Sequence, residues 1–119
     1  LVSISRLTHL ELQAVLAGKV RTAVIGKRQF RRIRGKFLAD VARGMLDVIR
    51  FTERHFQEAE RLLRTYATQR SLRTLDALPL AVALDLKRRG RLDYFVCADA
   101  NLCAVAQSEG LKVINPEIP

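Results

Sequence analysis

The sequence predicts an α/β fold in which a parallel sheet is covered by helices on both faces. Three observations carry that reading. Strand-like and helix-like segments alternate along the chain. The run Asp93-Tyr-Phe-Val-Cys-Ala98 is almost unbroken in apolar character, as strands buried in parallel sheets are. The stretch from about Thr74 to Leu84, wound as a helix, is apolar on nearly every side, which is the pattern of a central buried helix.

A chain of 119 residues and 13.5 kDa has room for one domain spanning 1–119 and no second core. With 49% apolar and 28% charged residues it is globular, not disordered. Charges interrupt its apolar runs well short of membrane-spanning length, and no signal-peptide pattern opens it, so no membrane partner and a cytoplasmic location are expected. Cys97 and Cys103 form no CxxC pair and lie far in sequence from His9 and His55. They read as buried free thiols, not as a zinc site. A net charge of +9 and a pI near 10.6 favour a polyanionic partner, RNA or DNA first, with an acidic protein also satisfying the charge.

Leu1-Val-Ser-Ile-Ser5 alternates and is β-prone, predicting a short strand. A helix follows from Arg6 or Thr8, with Gly18 as its stop. Glu11 sits on it among Leu7, Ala14 and Val15, a carboxylate on an apolar face. Thr8-His-Leu-Glu11 also has capping-box spacing, so a structural cap and a ligand both stand. Lys27-Arg-Gln-Phe-Arg-Arg-Ile-Arg-Gly-Lys36 packs six basic residues into ten positions. Phe30, Ile33, Phe37, Leu38 and Val41 form the inner stripe of that helix. Lys27, Arg28, Arg31, Arg32, Arg34 and Lys36 remain for a solvated face or a phosphate-binding surface.

Met45 to Phe51 alternates as a strand. Thr52 then caps a helix reaching about Thr68, with Phe56, Ala59, Leu62, Leu63 and Tyr66 inward. The central helix carries Asp76 near its start, where the helix dipole favours a carboxylate. Asp85, nine residues on, lies on the opposite face, so any partner of Asp76 is expected from elsewhere in the chain. Pro79 lacks an N–H and is expected to bend the helix or delay its start. Lys87-Arg-Arg-Gly-Arg91 ends it. After the strand Asp93–Ala98, Asp99 stands at a strand-to-helix junction as N-cap, ligand or both. Gly110 stops the next helix, and Leu111 to Asn115 forms a last strand.

In open parallel sheets, ligands gather beyond the carboxyl ends of the strands, where Asp99 falls. Glu11, Asp76 and Asp99 are expected to converge there. At about 4 Å and an effective dielectric of about 20, each like-charge pair costs about 4 kcal/mol, which a proton or a divalent cation relieves. Carboxylate oxygens without His or thiolate suit Mg²⁺ or Mn²⁺. Such a site in a basic protein points to phosphodiester hydrolysis.

Three patches together resemble the PIN-domain ribonucleases, especially the VapC-type toxins of toxin–antitoxin pairs. They are Ser5-Arg-Leu-Thr-His-Leu-Glu11, Leu72-Arg-Thr-Leu-Asp-Ala-Leu-Pro-Leu-Ala81, and Phe95-Val-Cys-Ala-Asp-Ala-Asn-Leu102 with Gly110-Leu-Lys-Val-Ile-Asn-Pro116. The resemblance implies a three-layer α/β/α sandwich with a central parallel sheet. It assigns Glu11, Asp76 and Asp99 to the family's metal-binding, catalytic positions, with Mg²⁺ or Mn²⁺ as cofactor. RNA and a cognate antitoxin protein are the implied partners, and a homodimer is also expected. The family's opening apolar strand, which ends in a metal-binding aspartate, has no counterpart after Leu1, and Pro79 stands where a histidine is common. The chain is therefore expected to be truncated or late-starting relative to that family.

The first reading is a Mg²⁺-dependent endoribonuclease. The second is a catalytically impaired PIN-like module that binds RNA or an antitoxin. A phosphorylated receiver domain would need an acidic pair near the start and a lysine at the end of a late strand, and neither is present.

Overall fold

A computed structural model describes residues 2–117. The chain order is β1 (Val2–Ser5), α1 (Arg6–Arg21), α2 (Lys27–Ala42), β2 (Leu46–Ile49), α3 (Glu53–Tyr66), α4 (Thr74–Arg88), β3 (Phe95–Val96), α5 (Ala100–Ser108) and β4 (Val113–Ile114). It is mixed α/β, in two compact units, Leu1–Arg50 and Phe51–Pro119.

In the first unit β1 and β2 pair in parallel, Val2 opposite Leu46 through Ser5 opposite Ile49. The expected first strand is present, although Leu1 lies outside the described residues. Ser5 ends β1 and caps α1, its Oγ accepting from the Thr8 N–H at 3.1 Å. The helix therefore starts before Thr8, and the expected Thr8–Glu11 capping box does not form. Nor does Gly18 stop α1, which runs on to Arg21. The left-handed residue that ends the helix is Ala23, at φ 58°. Around it the Ala23 N–H reaches the Val20 carbonyl at 3.1 Å and the Val24 N–H reaches that of Lys19 at 2.9 Å. That is the Schellman pattern with alanine where glycine is usual. Buried His9 of α1 packs its ring 5.1 Å from that of Phe37 on α2. Arg34 of α2 donates to the Gln13 side chain of α1 at 3.2 Å.

The second unit holds a hydrophobic core around α4. Ala77, Leu78, Leu80, Ala81, Ala83 and Leu84 pack with Ala59 and Leu62 of α3, Val105 and Ala106 of α5, and Leu72 and Leu111. The expectation of a central buried helix holds. Every residue from Leu80 to Leu86 is buried. Pro79 does not delay the start of α4, which begins at Thr74. Thr52 caps α3 as expected, but Phe56 is 49% exposed and its neighbour His55 is buried instead. Phe56 rests edge-on against Phe51, with centroids 5.9 Å apart.

β3 and β4 pair in parallel, Phe95 opposite Val113 and Val96 opposite Ile114. Both are shorter than their apolar runs suggest. Tyr94 and Val96 are exposed, which an all-buried strand over Asp93–Ala98 excludes. α5 ends in a Schellman pattern around Gly110, at φ 86°, with the Leu111 N–H on the Ala106 carbonyl at 3.0 Å. A Cβ on Gly110 would stand 2.9 Å from Lys87 Nζ, which itself donates to the Gly110 carbonyl at 2.6 Å. The positive φ is what favours glycine there, since the flexible Lys87 side chain could move aside for a Cβ.

Candidate functional site

Glu11 lies in the second turn of α1 and is exposed, flanked by the exposed Leu10, Ala14 and Val15. Of its expected apolar neighbours, Leu7 is half-buried while Ala14 and Val15 are exposed, and the buried positions of that helix are His9 and Leu16. Among the described residues Glu11 makes no ion pair.

Asp76 occupies the first turn of α4 and reaches back over it. Its Oδ2 accepts from the Arg73 N–H at 3.3 Å and stands 3.8 Å from Arg73 Nε. The partner is therefore local, three residues earlier, and not from a distant segment as expected. The cause is the helix start. Arg73 is the N-cap without a capping side chain of its own, so its amide turns to the nearest carboxylate, which the helix dipole also favours.

Asp99 follows the carboxyl end of β3 and caps α5, with Oδ1 accepting from the Leu102 N–H at 3.0 Å. It is exposed, and Oδ2 has no hydrogen-bond partner among the described residues. The backbone around it is pinned to β4 and to the segment after it. The Cys97 N–H donates to the Ile114 carbonyl at 3.1 Å, and the Asn115 amide to that of Ala98 at 3.4 Å. The Cys97 thiol is pushed up to about 12 by burial, by its hydrogen bond and charge coupling with Cys103, and by the nearby Asp99 charge.

Among the described residues, neither unit gathers three or more His, Cys, Asp or Glu side chains in a metal-holding group. Asp76 and Asp99 are nonetheless carboxylates with an oxygen uncommitted to their caps. Mg²⁺ is commonly held by one or two such groups, the rest of its shell being water and substrate phosphate, so the donor chemistry fits. A groove of about 370 Å³ lined by Lys87, Leu92, Asp93, Tyr94, Gly110, Leu111 and Lys112 includes neither of them.

The six cations of α2, Lys27, Arg28, Arg31, Arg32, Arg34 and Lys36, are all exposed. Phe30, Phe37, Leu38 and Val41 are half-buried behind them, while Ile33 is exposed at 42%. Lys36 stands 3.7 Å from Asp40 and Arg34 bonds Gln13. Lys27, Arg28, Arg31 and Arg32 have no acidic partner among the described residues.

Sequence reasoning passed over the most deeply buried polar pair. His55 Nδ1 accepts from the Thr52 N–H at 3.0 Å, so the ring proton sits on Nε2, which donates to Asp85 Oδ2 at 3.0 Å. Burial pushes the Asp85 carboxyl up, but the His55 hydrogen bond and the charges of Arg89 and Arg88 outweigh it and leave it below the ordinary value. The signal is in the sequence: Asp85 is the one acid between Ala77 and Leu86, in an otherwise apolar run, yet helix geometry speaks only of its being on the opposite face from Asp76. The pair fastens α3 to α4.

A second polar cluster joins α3 to the end of α5. Glu109 accepts from Arg61 and, at 2.5 Å, from the Tyr66 hydroxyl, while Arg61 also donates to Glu58 at 2.7 Å. Burial raises the Glu109 carboxyl, but Tyr66 and Arg61 hold it below its usual range.

No helix among the described residues is long and apolar enough to cross a membrane. Comparisons of the chain with protein-family models, with curated proteins and with solved structures each give no match.

Proposed function

We propose that this protein is a Mg²⁺- or Mn²⁺-dependent endoribonuclease that hydrolyses RNA phosphodiester bonds, the toxin of a toxin–antitoxin pair acting in the cytoplasm. The observation that carries the reading is Asp99, an exposed carboxylate at the carboxyl end of a parallel strand with one oxygen left free by its cap. That is where ligands collect in parallel α/β proteins. Asp76 and Asp99 would hold the cation, and Glu11 enters on the sequence resemblance alone. The reading carries with it the three-layer α/β/α sandwich around a central parallel sheet.

A divalent cation held by these carboxylates would supply positive charge against the reacting phosphate and lower the pKa of a water. The chain's own residues do the remainder. Asp99 is fixed by its bond to the Leu102 amide, so its free oxygen is held without further ordering. Arg73, beside Asp76, brings a guanidinium suited to a phosphate oxygen. The exposed cations of α2 give the first unit a surface of its own suited to an RNA backbone.

A second reading, a PIN-like module that binds RNA or an antitoxin without cutting it, is favoured by the engagement of Asp76 with Arg73. Titration of Mn²⁺ followed by its paramagnetic resonance separates the two. The nuclease reading expects one site whose affinity falls about tenfold or more in Asp99→Asn, a loss of at least about 1.4 kcal/mol. Equal affinity in wild type and variant would remove Asp99 from the site.

A further inference from the structure

Cys97 and Cys103 do not behave as two separate core thiols. Cys97 follows β3 and Cys103 lies in the first turns of α5, and their Sγ atoms stand 2.6 Å apart, closer than sulfurs that merely pack. The two are not bonded to each other.

The backbone on both sides holds the two cysteines in place. Cys97 is held by its N–H bond to the Ile114 carbonyl at 3.1 Å. Cys103 is held by its own amide bond to the Asp99 carbonyl at 2.9 Å. The Cys103 thiol also donates to the Cys97 carbonyl at 3.3 Å. Each sulfur is therefore positioned by the strand-to-helix turn, and reaching the S–S distance of about 2.05 Å takes only a small approach. The two differ in access, Cys97 being half-buried and Cys103 9% exposed.

We propose that Cys97 and Cys103 are a redox pair, a dithiol that closes to an intramolecular disulfide by exchange with a small-molecule disulfide of the glutathione class. Cys97, the accessible sulfur, loses its proton and attacks the small disulfide, releasing one small thiol and forming a mixed disulfide. Cys103 then loses its proton and attacks the Cys97 sulfur, releasing the second small thiol. The protein loses two hydrogens, and the small disulfide is reduced to two thiols. The ring so formed encloses Ala98 to Leu102 and hence Asp99, tying the cap of α5 covalently to the end of β3. The inference stands on the second unit's geometry alone and does not depend on nuclease activity.

The test is equilibration of the whole chain with oxidised glutathione at about pH 8, long enough for a slow first exchange, followed by acid quench and alkylation under denaturing conditions. Both cysteines fall in one tryptic peptide, Leu92 to Lys112, so mass spectrometry reads the result directly. The expected result is loss of both alkylatable thiols and a peptide lighter by two hydrogens, restored by dithiothreitol. In Cys103→Ser the second exchange is blocked, and a glutathione adduct on Cys97 is expected to accumulate instead. Two thiols still alkylated in wild type, a stable glutathione adduct on wild-type Cys97, or disulfide-linked dimers in place of the internal bond would each overturn the proposal. Folding of Cys103→Ser is checked by circular dichroism. Should it fail to fold, the wild-type peptide mass alone decides.

Discussion

His55 Nε2 donates to Asp85 Oδ2 across 3.0 Å, joining the first turn of α3 to the last turn of α4 where both side chains are almost wholly removed from water. With Nδ1 taken by the Thr52 amide, the imidazole caps one helix and ties down another. His55→Ala would leave the Asp85 carboxylate buried with only Arg89 at 3.4 Å and Arg88 at 3.6 Å. We expect a loss of about 3 kcal/mol in urea-induced unfolding, the usual cost of stripping a buried charge of its partner. Asp85→Leu together with His55→Phe should recover part of it.

Asp85 and Glu109 together set an acid limit. The Asp85 and Glu109 carboxyls are lowered in the folded state, so the unfolded chain binds protons more readily than the folded one as pH falls. Their contribution is complete above the unfolded carboxylate value of about 4. It drains away as pH falls from there through the lowered folded values. Stability should therefore be flat in this respect from neutral pH down to about pH 5 and fall below it. Asp85→Asn combined with Glu109→Gln should flatten that acid limb, as read by urea midpoints across the range.

Ala23 holds a left-handed conformation at φ 58° that L-residues other than glycine adopt at a cost. Ala23→Gly removes that cost but loosens the unfolded chain. The net expected gain is about 0.5–1 kcal/mol, measured by chemical unfolding. An unchanged or lower midpoint would show that the turn carries no such penalty.

Much of the fold was legible because local chemistry decides it. Thr52 and Asp99 cap the helices after them, Gly110 ends α5, and the all-round apolar character of Ala77–Leu84 marks a helix buried at the centre of its unit. What was illegible depended on partners that sequence spacing does not name. Phe56 was read inward by periodicity, but His55 has both ring nitrogens satisfied and takes the buried place. The Asp93–Ala98 run carries no information about how far its partner extends, and pairing stops at Phe95 and Val96. Glu11 was assigned a possible cap from its spacing to Thr8, while Ser5 had already started the helix. Of the acidic residues, Asp99 was read with its capping role and Asp76 with its dipole setting, but the Arg73 pairing was not foreseen because Arg73 flanks the helix.

The basic face of α2 makes a separate prediction. Arg28, Arg31 and Arg32 are exposed and lack acidic partners among the described residues, so their loss should change stability by less than about 0.5 kcal/mol. If they meet phosphates of single-stranded RNA, neutralising all three should reduce the slope of log affinity against log salt by about two. An unchanged slope in fluorescence-anisotropy titrations would assign the helix to another partner.

The central claim, metal-dependent RNA cleavage through Asp76 and Asp99, is tested most directly by one cleavage assay. Wild type, Asp76→Asn and Asp99→Asn are incubated with a single-stranded RNA in Mg²⁺ or Mn²⁺, with and without EDTA. Asparagine keeps a side-chain carbonyl for the Arg73 and Leu102 amides, so both helix starts should survive while the charge is lost. The expected result is cleavage by wild type, abolished by EDTA and lowered by at least about a hundredfold in either folded variant. Cleavage that survives EDTA, full activity in Asp99→Asn, or RNA binding by wild type without any cleavage would contradict it.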